Sequence, residues 1–239
     1  MELSKRLQAV ADLISEVMTV ADIGTDHGYI PVYLLNTGKS PKVIAMDVKK
    51  GPLERAKEHL AMLLEQGEAQ TRLSDGLKNL APGEVECAVI AGMGGGLVIR
   101  ILQESPEVTA SLKECILQPQ SEISKVRAFL LQEGFSIIQE DMVEEEGKYY
   151  PMMKVLPPGT FEDSLTNVWE MEELQYGKFL LENRHPVLKD FLLREKGIRE
   201  RLLDDLSGHQ GERLQQRSQE IQQELVLIEK SIRRYEERR

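Results

Sequence analysis

The residues with the clearest chemical potential lie in segment 20–35, where an apolar strand pattern runs into a glycine-containing turn with a helix pattern behind it. Gly24 in this turn can adopt a positive φ, which lets a ligand approach the backbone closely. Asp22, Asp26 and His27 place further polar groups where the helix begins, and helix N-termini are common ligand-binding positions. The sequence therefore predicts a nucleotide-binding turn.

The two carboxylates of this turn limit which nucleotide can bind. Asp22 and Asp26 would repel a pyrophosphate, whereas a sulfonium with an amino-acid tail offers positive charge for carboxylates to meet. We therefore interpret the turn as an S-adenosylmethionine site. A nicotinamide dinucleotide fits less well, because Asp26 stands where the second glycine of G-x-G-x-x-G would admit pyrophosphate.

Three further candidate ligand-binding features lie at the ends of predicted strands. Asp47 follows Gly24 at close to the spacing of ~20 residues expected of an acid that binds ribose hydroxyls. Asp75 ends the third strand, where a carboxylate can accept a hydrogen bond from an adenine amino group. The small residues of segment 91–96 either leave room for a substrate or permit close helix packing. Because ligands gather at the carboxyl ends of parallel strands, we expect these marks to form one site.

The order of secondary-structure patterns predicts an α/β fold, because strand and helix patterns alternate over the first two thirds of the chain. The predicted strands cover residues 20–23, 42–48, 69–75, 86–93 and 114–118, with 135–140 and 150–156 as a closing antiparallel pair. The predicted helices of this part include residues 52–66, 97–104 and 123–133. Together they predict a seven-stranded mixed sheet.

The composition changes after Pro157-Pro158-Gly159 to a helical, heavily charged extension. One helix is expected to start at Pro186 and to end at the Ser-Gly-His-Gln-Gly segment 207–211. A second helix repeats apolar residues at coiled-coil spacings: Leu214, Ile221, Leu225, Ile228, Ile232 and Tyr235. We therefore assign residues 1–158 to a cofactor-binding domain and 159–239 to a helical coiled-coil domain. The helical domain either forms packing or homodimer contacts or binds nucleic acid.

Composition and charge exclude several classes of protein. The net charge of -10 argues against a generally basic nucleic-acid binder, although a local positive patch can coexist with it. No apolar run approaches the ~20 residues of a membrane helix, and the N-terminal segment is typical of an amphipathic helix rather than a signal peptide. Cys87 and Cys115 lack CxxC spacing, which indicates buried thiols rather than metal ligands. We expect a cytoplasmic protein with no membrane or metal partner.

Five segments together resemble one family: DIGTDHGYIPVYL at 22–34, AMDV at 45–48, SDGL at 74–77, AGMGG at 91–95 and LQPQ at 117–120. In order and spacing they are similar to the TrmK family, the bacterial tRNA (adenine(22)-N(1))-methyltransferases. The resemblance implies a class I, Rossmann-like methyltransferase that transfers the methyl group of S-adenosylmethionine to N1 of an adenine in the D-loop region of tRNA.

The strand-end marks and this resemblance give a set of expected site residues. The expected cofactor-binding residues are Asp22, Gly24, Asp26, His27, Gly28, Asp47, Asp75, Gly76, Gly92 and Met93. Asp26, Tyr29 and Tyr150 are the candidate catalytic residues. The two tyrosines offer an aromatic wall for a flipped adenine, and Asp26 either holds the cofactor or stabilises the cationic base that methylation leaves.

Basic side chains form two candidate RNA-binding sets. In the extension, charge reversal at Arg199 and Arg201 is expected to weaken tRNA binding if these groups touch phosphate. In the first helix, Lys5 and Arg6 belong either to a phosphate-binding face or to a solvated surface, and the solvated surface is the favoured interpretation.

Two other functions stay open on the sequence. A methyltransferase of small molecules or proteins would carry the same cofactor marks, and a non-catalytic scaffold could use the coiled coil to recruit partners. Segment 92–95 reads Gly-Met-Gly-Gly where exocyclic-amine methyltransferases place Asn/Asp-Pro-Pro-aromatic, which disfavours that chemistry. Gln118 and Gln120 either read a base edge or cap a loop.

Overall fold

The computed structural model describes residues 2–15, 17–160, 168–207 and 211–236. The chain divides into two compact units, Met1–Asn167 and Val168–Arg239, called here the N-terminal unit and the C-terminal unit. Residues 208–210, the centre of the predicted helix break, lie outside the described residues.

The N-terminal unit is built on one mixed sheet. Its strands are β1 Val20–Ile23, β2 Val43–Asp47, β3 Ala69–Leu73, β4 Cys87–Met93, β5 Glu114–Pro119, β6 Ser136–Glu145 and β7 Lys148–Leu156. They lie in the order β3-β2-β1-β4-β5-β7-β6. The first five strands pair in parallel, and β7 runs antiparallel to β5 and β6. The predicted seven-stranded mixed sheet is confirmed.

Helices accompany the sheet in the expected alternation. They are α1 Lys5–Leu13, α2 Tyr29–Asn36, α3 Lys50–Glu65, α4 Gly95–Gln103, α5 Pro106–Ser111 and α6 Ile123–Gln132. Every residue of β1 is buried, which is typical of a parallel strand covered on both faces. The sequence did not predict α5, because six residues are too few to establish a helical period.

Helix α1 packs on the core and thereby orients one basic side chain. The Ser4 hydroxyl caps the helix by accepting a hydrogen bond from Leu7 N at 3.4 Å. Val10 and Leu13 are buried in the core cluster that includes β1. Arg6 stands four residues before Val10 and therefore on the same face of the helix. This spacing directs Arg6 toward the sheet rather than toward solvent.

The closing hairpin is longer than the sequence predicts. Glu144 and Glu145 belong to β6 and pair with Tyr149 and Lys148 of β7. Only segment 146–147 forms the turn, and both of its residues have positive φ, 53° and 75°. The strands predicted over 135–140 and 150–156 are therefore too short, because a two-residue turn of this conformation lets strand pairing continue to the turn.

The C-terminal unit is helical, with α7 Met171–Tyr176, α8 Lys178–Glu182, α9 Pro186–Ser207 and α10 Glu212–Glu236. Helices α9 and α10 are antiparallel, because Lys196 pairs with Glu229 at 2.9 Å and Arg199, further along α9, pairs with the earlier Glu224 at 2.9 Å. Ile221 and Ile228 of the predicted apolar repeat are 1% exposed. The helical extension is confirmed, while coiled-coil packing and a domain boundary at residue 158 stay predictions.

Two further expectations concern membrane and thiol chemistry. Over the described residues, no helix combines the length and the apolar character that crossing a membrane requires. Cys87 and Cys115 are buried free thiols, and burial raises the pKa of Cys115 to about 12. Both side chains are therefore protonated core residues at neutral pH.

Candidate functional site

A cavity of about 310 Å³ opens at the carboxyl ends of β1 and β4. Five residues predicted for the site line it: Asp22, Gly24, Asp26, Tyr29 and Gly92. The remaining lining residues are Arg6, Leu7, Thr25, Ile30, Ala91 and Gln120. Because the strand order reverses between these two neighbouring strands, the cavity occupies the position where parallel sheets commonly bind ligands.

The turn after β1 is held by β2. Gly24 N and Thr25 N both donate hydrogen bonds to Met46 O, at 2.7 and 2.9 Å. Gly24 has a φ of 75°, and a Cβ at this position would collide with Met93 Cε. Glycine is therefore favoured here by the backbone conformation, whereas the flexible end of the Met93 side chain could move away from a Cβ.

Asp22 is a buried carboxylate on the cavity wall, with 6% of its surface exposed. Burial raises the pKa of Asp22 to about 6, the adjacent Thr25 hydroxyl partly offsets this rise, and the negative charge of Asp47 adds to it. Among the described residues no cation forms an ion pair with Asp22. A buried carboxylate without a counter-ion is unfavourable, so the cavity favours a cationic ligand.

A second buried polar group on the same wall, the Thr25 hydroxyl, lies beside Asp22. Thr25 Oγ1 is buried and makes no hydrogen bond of normal geometry within the described part of the chain. Buried hydroxyl groups are usually hydrogen-bonded, and a hydroxyl on a cavity wall can complete its bonding with a ligand.

Arg6 enters the cavity from α1. Its Nη1 donates a hydrogen bond to Gln118 Oε1 at 3.0 Å, and the same oxygen accepts one from Gly92 N at 3.1 Å. The guanidinium carbon lies 5.6 Å from the centre of the Tyr150 ring, within the range of a cation–π contact. The interpretation of Arg6 as solvated surface is wrong, because its helical register with buried Val10 places it on the inner face of α1.

Asp26 lies at the mouth of the cavity beside a stack of rings. Its side chain is 65% exposed and forms an ion pair with Arg55 at 2.7 Å. The rings of His27, Tyr29 and His59 stack on one another, with centroids 5.3 to 5.9 Å apart. Sequence reasoning missed His59, which lies on α3 outside every motif and reaches the stack only through tertiary packing.

The other predicted site residues do not line this cavity: His27, Gly28, Asp47, Asp75, Gly76, Met93 and Tyr150. Asp47 lies at the end of β2, where its Oδ1 accepts a hydrogen bond from Lys49 N at 2.6 Å. Asp75 forms ion pairs with Lys78 at 2.8 Å and Arg100 at 3.3 Å. The hydrogen bond from Lys78 lowers the pKa of Asp75, which is therefore ionised at neutral pH.

The glycines outside the cavity serve helix packing. A Cβ on Gly28 would stand 3.3 Å from Ala56 Cβ of α3, and one on Gly76 would stand 2.9 Å from Ile101 Cγ1 of α4. A Cβ on Gly95 would collide with the Ser121 carbonyl. Of the two interpretations of the small-residue segment, close helix packing therefore applies to Gly95, while Gly92 lines the cavity.

In the described ranges, no group of three or more His, Cys, Asp or Glu side chains is placed to hold a metal ion. The polar side chains that line the cavity are two carboxylates, one guanidinium, two hydroxyls and one amide.

Solved structures resemble this chain along nearly its whole length. The Bacillus subtilis tRNA methyltransferase TrmK matches with a TM-score of 0.82 and 29% identity, over 97% of this chain and 99% of that one. A Streptococcus pneumoniae protein solved in complex with S-adenosyl-L-methionine matches with a TM-score of 0.83 and 28% identity, over 97% and 100% of the two chains.

Residues 3–153 match the methyltransferase domain family. The fold and the cavity thus define a class I, Rossmann-like methyltransferase. The chain is also 32% identical over 187 residues to the Bacillus subtilis tRNA (adenine(22)-N(1))-methyltransferase, covering 78% of each protein. It belongs to the TrmK family of bacterial tRNA methyltransferases.

Proposed function

We propose that this protein methylates N1 of the adenine at position 22 of tRNA, with S-adenosyl-L-methionine as the methyl donor. The observation that carries the proposal is the cavity with its buried carboxylate Asp22 at the ends of β1 and β4, in a chain that is 32% identical to a tRNA (adenine(22)-N(1))-methyltransferase. The cofactor bound in the Streptococcus pneumoniae structure supports the choice of donor.

The cavity residues suit this cofactor. Asp22 and Asp26 complement positive charge, and the Gly24 turn and Gly92 leave backbone surface accessible. We propose that Asp22, Gly24 and Gly92 bind the cofactor, and that Asp47 and Asp75, at the same edge of the sheet, bind its ribose and adenine. When bound, the cofactor supplies an electrophilic methyl group on a positively charged sulfur.

The chemistry requires the chain to align the two reactants. Adenine N1 carries a lone pair at neutral pH, so the protein has no proton to remove before attack. Pairing hides N1 in a duplex, and the target base must therefore be splayed out and packed against a wall. Tyr29 lines the cavity and belongs to the ring stack, which supports its proposed contact with the base. Tyr150 supports the wall by lying against Arg6.

Asp26 is the proposed catalytic carboxylate. Methylation at N1 leaves a cationic base, and the exposed Asp26 side chain at the mouth of the cavity can stabilise that charge. Asp26→Ala is therefore expected to lower turnover about tenfold while cofactor affinity changes little. Loss of cofactor affinity with unchanged turnover at saturation would assign Asp26 to cofactor binding instead.

The proposed function is tested by mapping the product. Purified protein, S-adenosyl-L-methionine and tRNA that lacks the modification are incubated, and the methylated nucleoside is located by digestion and mass spectrometry. The expected product is N1-methyladenosine at position 22, the position in the relative's name. The matched control is the same tRNA with guanine there, which should stay unmodified. Methylation of another atom, or of metabolites or proteins in place of tRNA, would contradict the proposal.

Three finer statements stay predictions. They are homodimer formation through residues 159–239, a cofactor-binding domain that ends at residue 158, and a cytoplasmic location. Sedimentation of the full chain over a range of protein concentrations tests the first.

A further inference from the structure

Two glutamines that follow one another closely at the end of β5 have different surroundings. Gln118 is fully buried, and its Oε1 accepts hydrogen bonds from Arg6 Nη1 at 3.0 Å and from Gly92 N at 3.1 Å. Gln120 is exposed on the cavity wall, and no described residue forms a hydrogen bond with its side chain. Capping a loop would require such a bond to the backbone, so the other role considered for this pair, reading a base edge, applies to Gln120.

The backbone holds the Gln120 amide over the carboxyl end of β4. Gln120 N donates a hydrogen bond to Met93 O at 2.8 Å. A Cβ on Gly92 would stand 3.8 Å from Gln120 Nε2, so the side chain reaches back across this glycine. Because Gly92 has no side chain, the amide stays open to the cavity, whose wall also carries Asp26 and Tyr29.

The target base keeps one edge that an amide matches. When N1 of adenine faces the methyl donor, the N6 amine and N7 form the neighbouring Hoogsteen edge, with one donor and one acceptor. A carboxamide presents an acceptor and a donor in one plane, and glutamine makes this bidentate contact with adenine in DNA recognition. Guanine presents acceptors at both positions and therefore matches the amide less well.

The other polar side chains of the wall are less suited to this edge. Ionised Asp22 and Asp26 only accept hydrogen bonds, and Arg6 only donates them. Thr25 and Tyr29 each present a single oxygen rather than two separate atoms. Among the described residues that line the cavity, Gln120 carries the one carboxamide.

We propose that Gln120 reads the target adenine, with Oε1 accepting a hydrogen bond from the N6 amine and Nε2 donating one to N7. This inference rests on the proposed function and names a residue that selects the base. The contact leaves N1 free and fixes the plane of the ring, which is the alignment that methyl transfer requires. The cofactor is the other molecule that could reach this amide, and the experiment separates the two.

The test changes single groups of the base at position 22 of the tRNA. 7-Deazaadenine replaces N7 with carbon, unsubstituted purine lacks the N6 amine, and both keep N1. Methyl transfer from S-adenosyl-L-methionine is measured as kcat/KM on each tRNA. The intrinsic reactivity of N1 differs between these bases, but this difference is common to all variants and cancels when variants are compared. In Gln120→Ala, the preference for adenine over each analogue should be roughly tenfold smaller than in the wild-type protein.

A second variant separates the two hydrogen bonds. The carboxylate of Gln120→Glu accepts from the N6 amine but has no donor for N7. This variant should therefore keep the wild-type preference over purine and reduce the preference over 7-deazaadenine as Gln120→Ala does. Gln103→Ala is the matched control, because Gln103 is an exposed glutamine of α4 outside the cavity lining, and it should reproduce both wild-type preferences.

The opposite results overturn the assignment. If Gln120→Ala keeps both wild-type preferences, Gln120 does not read this edge; a fall in cofactor affinity by calorimetry would then assign it to the cofactor, and a fall in melting temperature would assign it to the fold. If Gln120→Glu loses the preference over purine and keeps the other, the two proposed hydrogen bonds are wrong. A wild-type protein that methylates no tRNA with adenine at position 22 would refute the proposed function itself, and this result is distinct from the others.

Discussion

The cavity and the C-terminal unit differ in whether their buried and half-buried charges form ion pairs within the chain. In the cavity, Asp22 and Arg6 have no oppositely charged partner among the described residues. In the C-terminal unit, the fully buried Glu172 pairs with Lys230 at 2.9 Å and Arg234 at 2.7 Å. A buried charge is unfavourable unless it is paired, so a cavity that keeps charges without partners indicates a charged ligand. A buried charge that is paired within the chain, as Glu172 is, indicates a structural role.

Removing the cavity carboxylate gives the largest expected effect. Asp22→Asn deletes the charge that meets the cationic ligand, and its affinity for S-adenosyl-L-methionine should fall by roughly 100-fold. The ligand-free protein should become more stable, because an ionised Asp22 with a pKa of about 6 costs up to about 3 kcal/mol at neutral pH. Calorimetry and thermal unfolding measure the two effects. A variant that loses stability and retains affinity would place Asp22 among the structural charges.

Removing the buried carboxylate of the C-terminal unit should have the opposite pattern. Glu172→Gln leaves Lys230 and Arg234 without their shared partner and should lower the free energy of unfolding by roughly 3 kcal/mol. Cofactor affinity should not change. Trp169 is the single tryptophan of the chain and is buried in this unit, so its fluorescence in a urea titration reports the loss. An unchanged urea midpoint would show that this pairing does not support the unit.

The sequence predicted the parts of the site where chemistry and strand position coincide. Asp22 lies near the end of an apolar strand and Gly24 directly follows it, so both the strand end and the ligand type could be inferred. The sequence analysis assigned Arg6 to the solvated surface. Its position depends on which face of α1 packs against the sheet, and that face is determined by tertiary structure. The ion pairs of Asp75 also depend on tertiary structure, since Arg100 comes from another helix. His59 joins the ring stack in the same way.

The two regions should respond to pH in opposite directions. Burial by itself raises the pKa of Glu172, but the hydrogen bonds from Lys230 and Arg234 outweigh it and lower the pKa below 4.5. Stability from Glu172 is therefore present above pH 4.5 and is lost as the pH falls through the lowered pKa. Asp22 has a raised pKa of about 6, so the ligand-free N-terminal unit gains stability as the pH falls through 6.

The same raised pKa predicts a pH-dependent cofactor affinity. A proton on Asp22 competes with the cationic ligand, so the dissociation constant should be flat at neutral and alkaline pH and should rise toward tenfold per pH unit below about 6. Calorimetry across this range measures it, with Asp22→Asn as the control that should show no such rise. A flat wild-type profile would mean that Asp22 does not meet the cationic group.

The smallest expected effect separates two arginines that the sequence treated alike. Arg199 is bound by Glu195 and by Glu224, the latter at 2.9 Å, whereas Arg201 donates to the Gly197 carbonyl at 3.0 Å and has no acidic partner in the described ranges. Arg201→Glu should weaken tRNA binding by a few-fold, reduce its salt dependence by about one phosphate contact and leave the melting temperature unchanged.

Arg199→Glu is the matched comparison at nearly the same place on α9. It breaks two ion pairs within the C-terminal unit, and it should lower the stability of that unit by about 1 kcal/mol. Filter binding over a range of salt concentrations and thermal unfolding distinguish the two variants. Arg199 is already neutralised by Glu195 and Glu224, so its loss should affect tRNA binding less than the loss of Arg201. An equal loss of tRNA affinity in both variants would show that an ion pair within the chain does not identify a charge with a purely structural role. Such a result would remove the basis on which the cavity charges are assigned to a ligand.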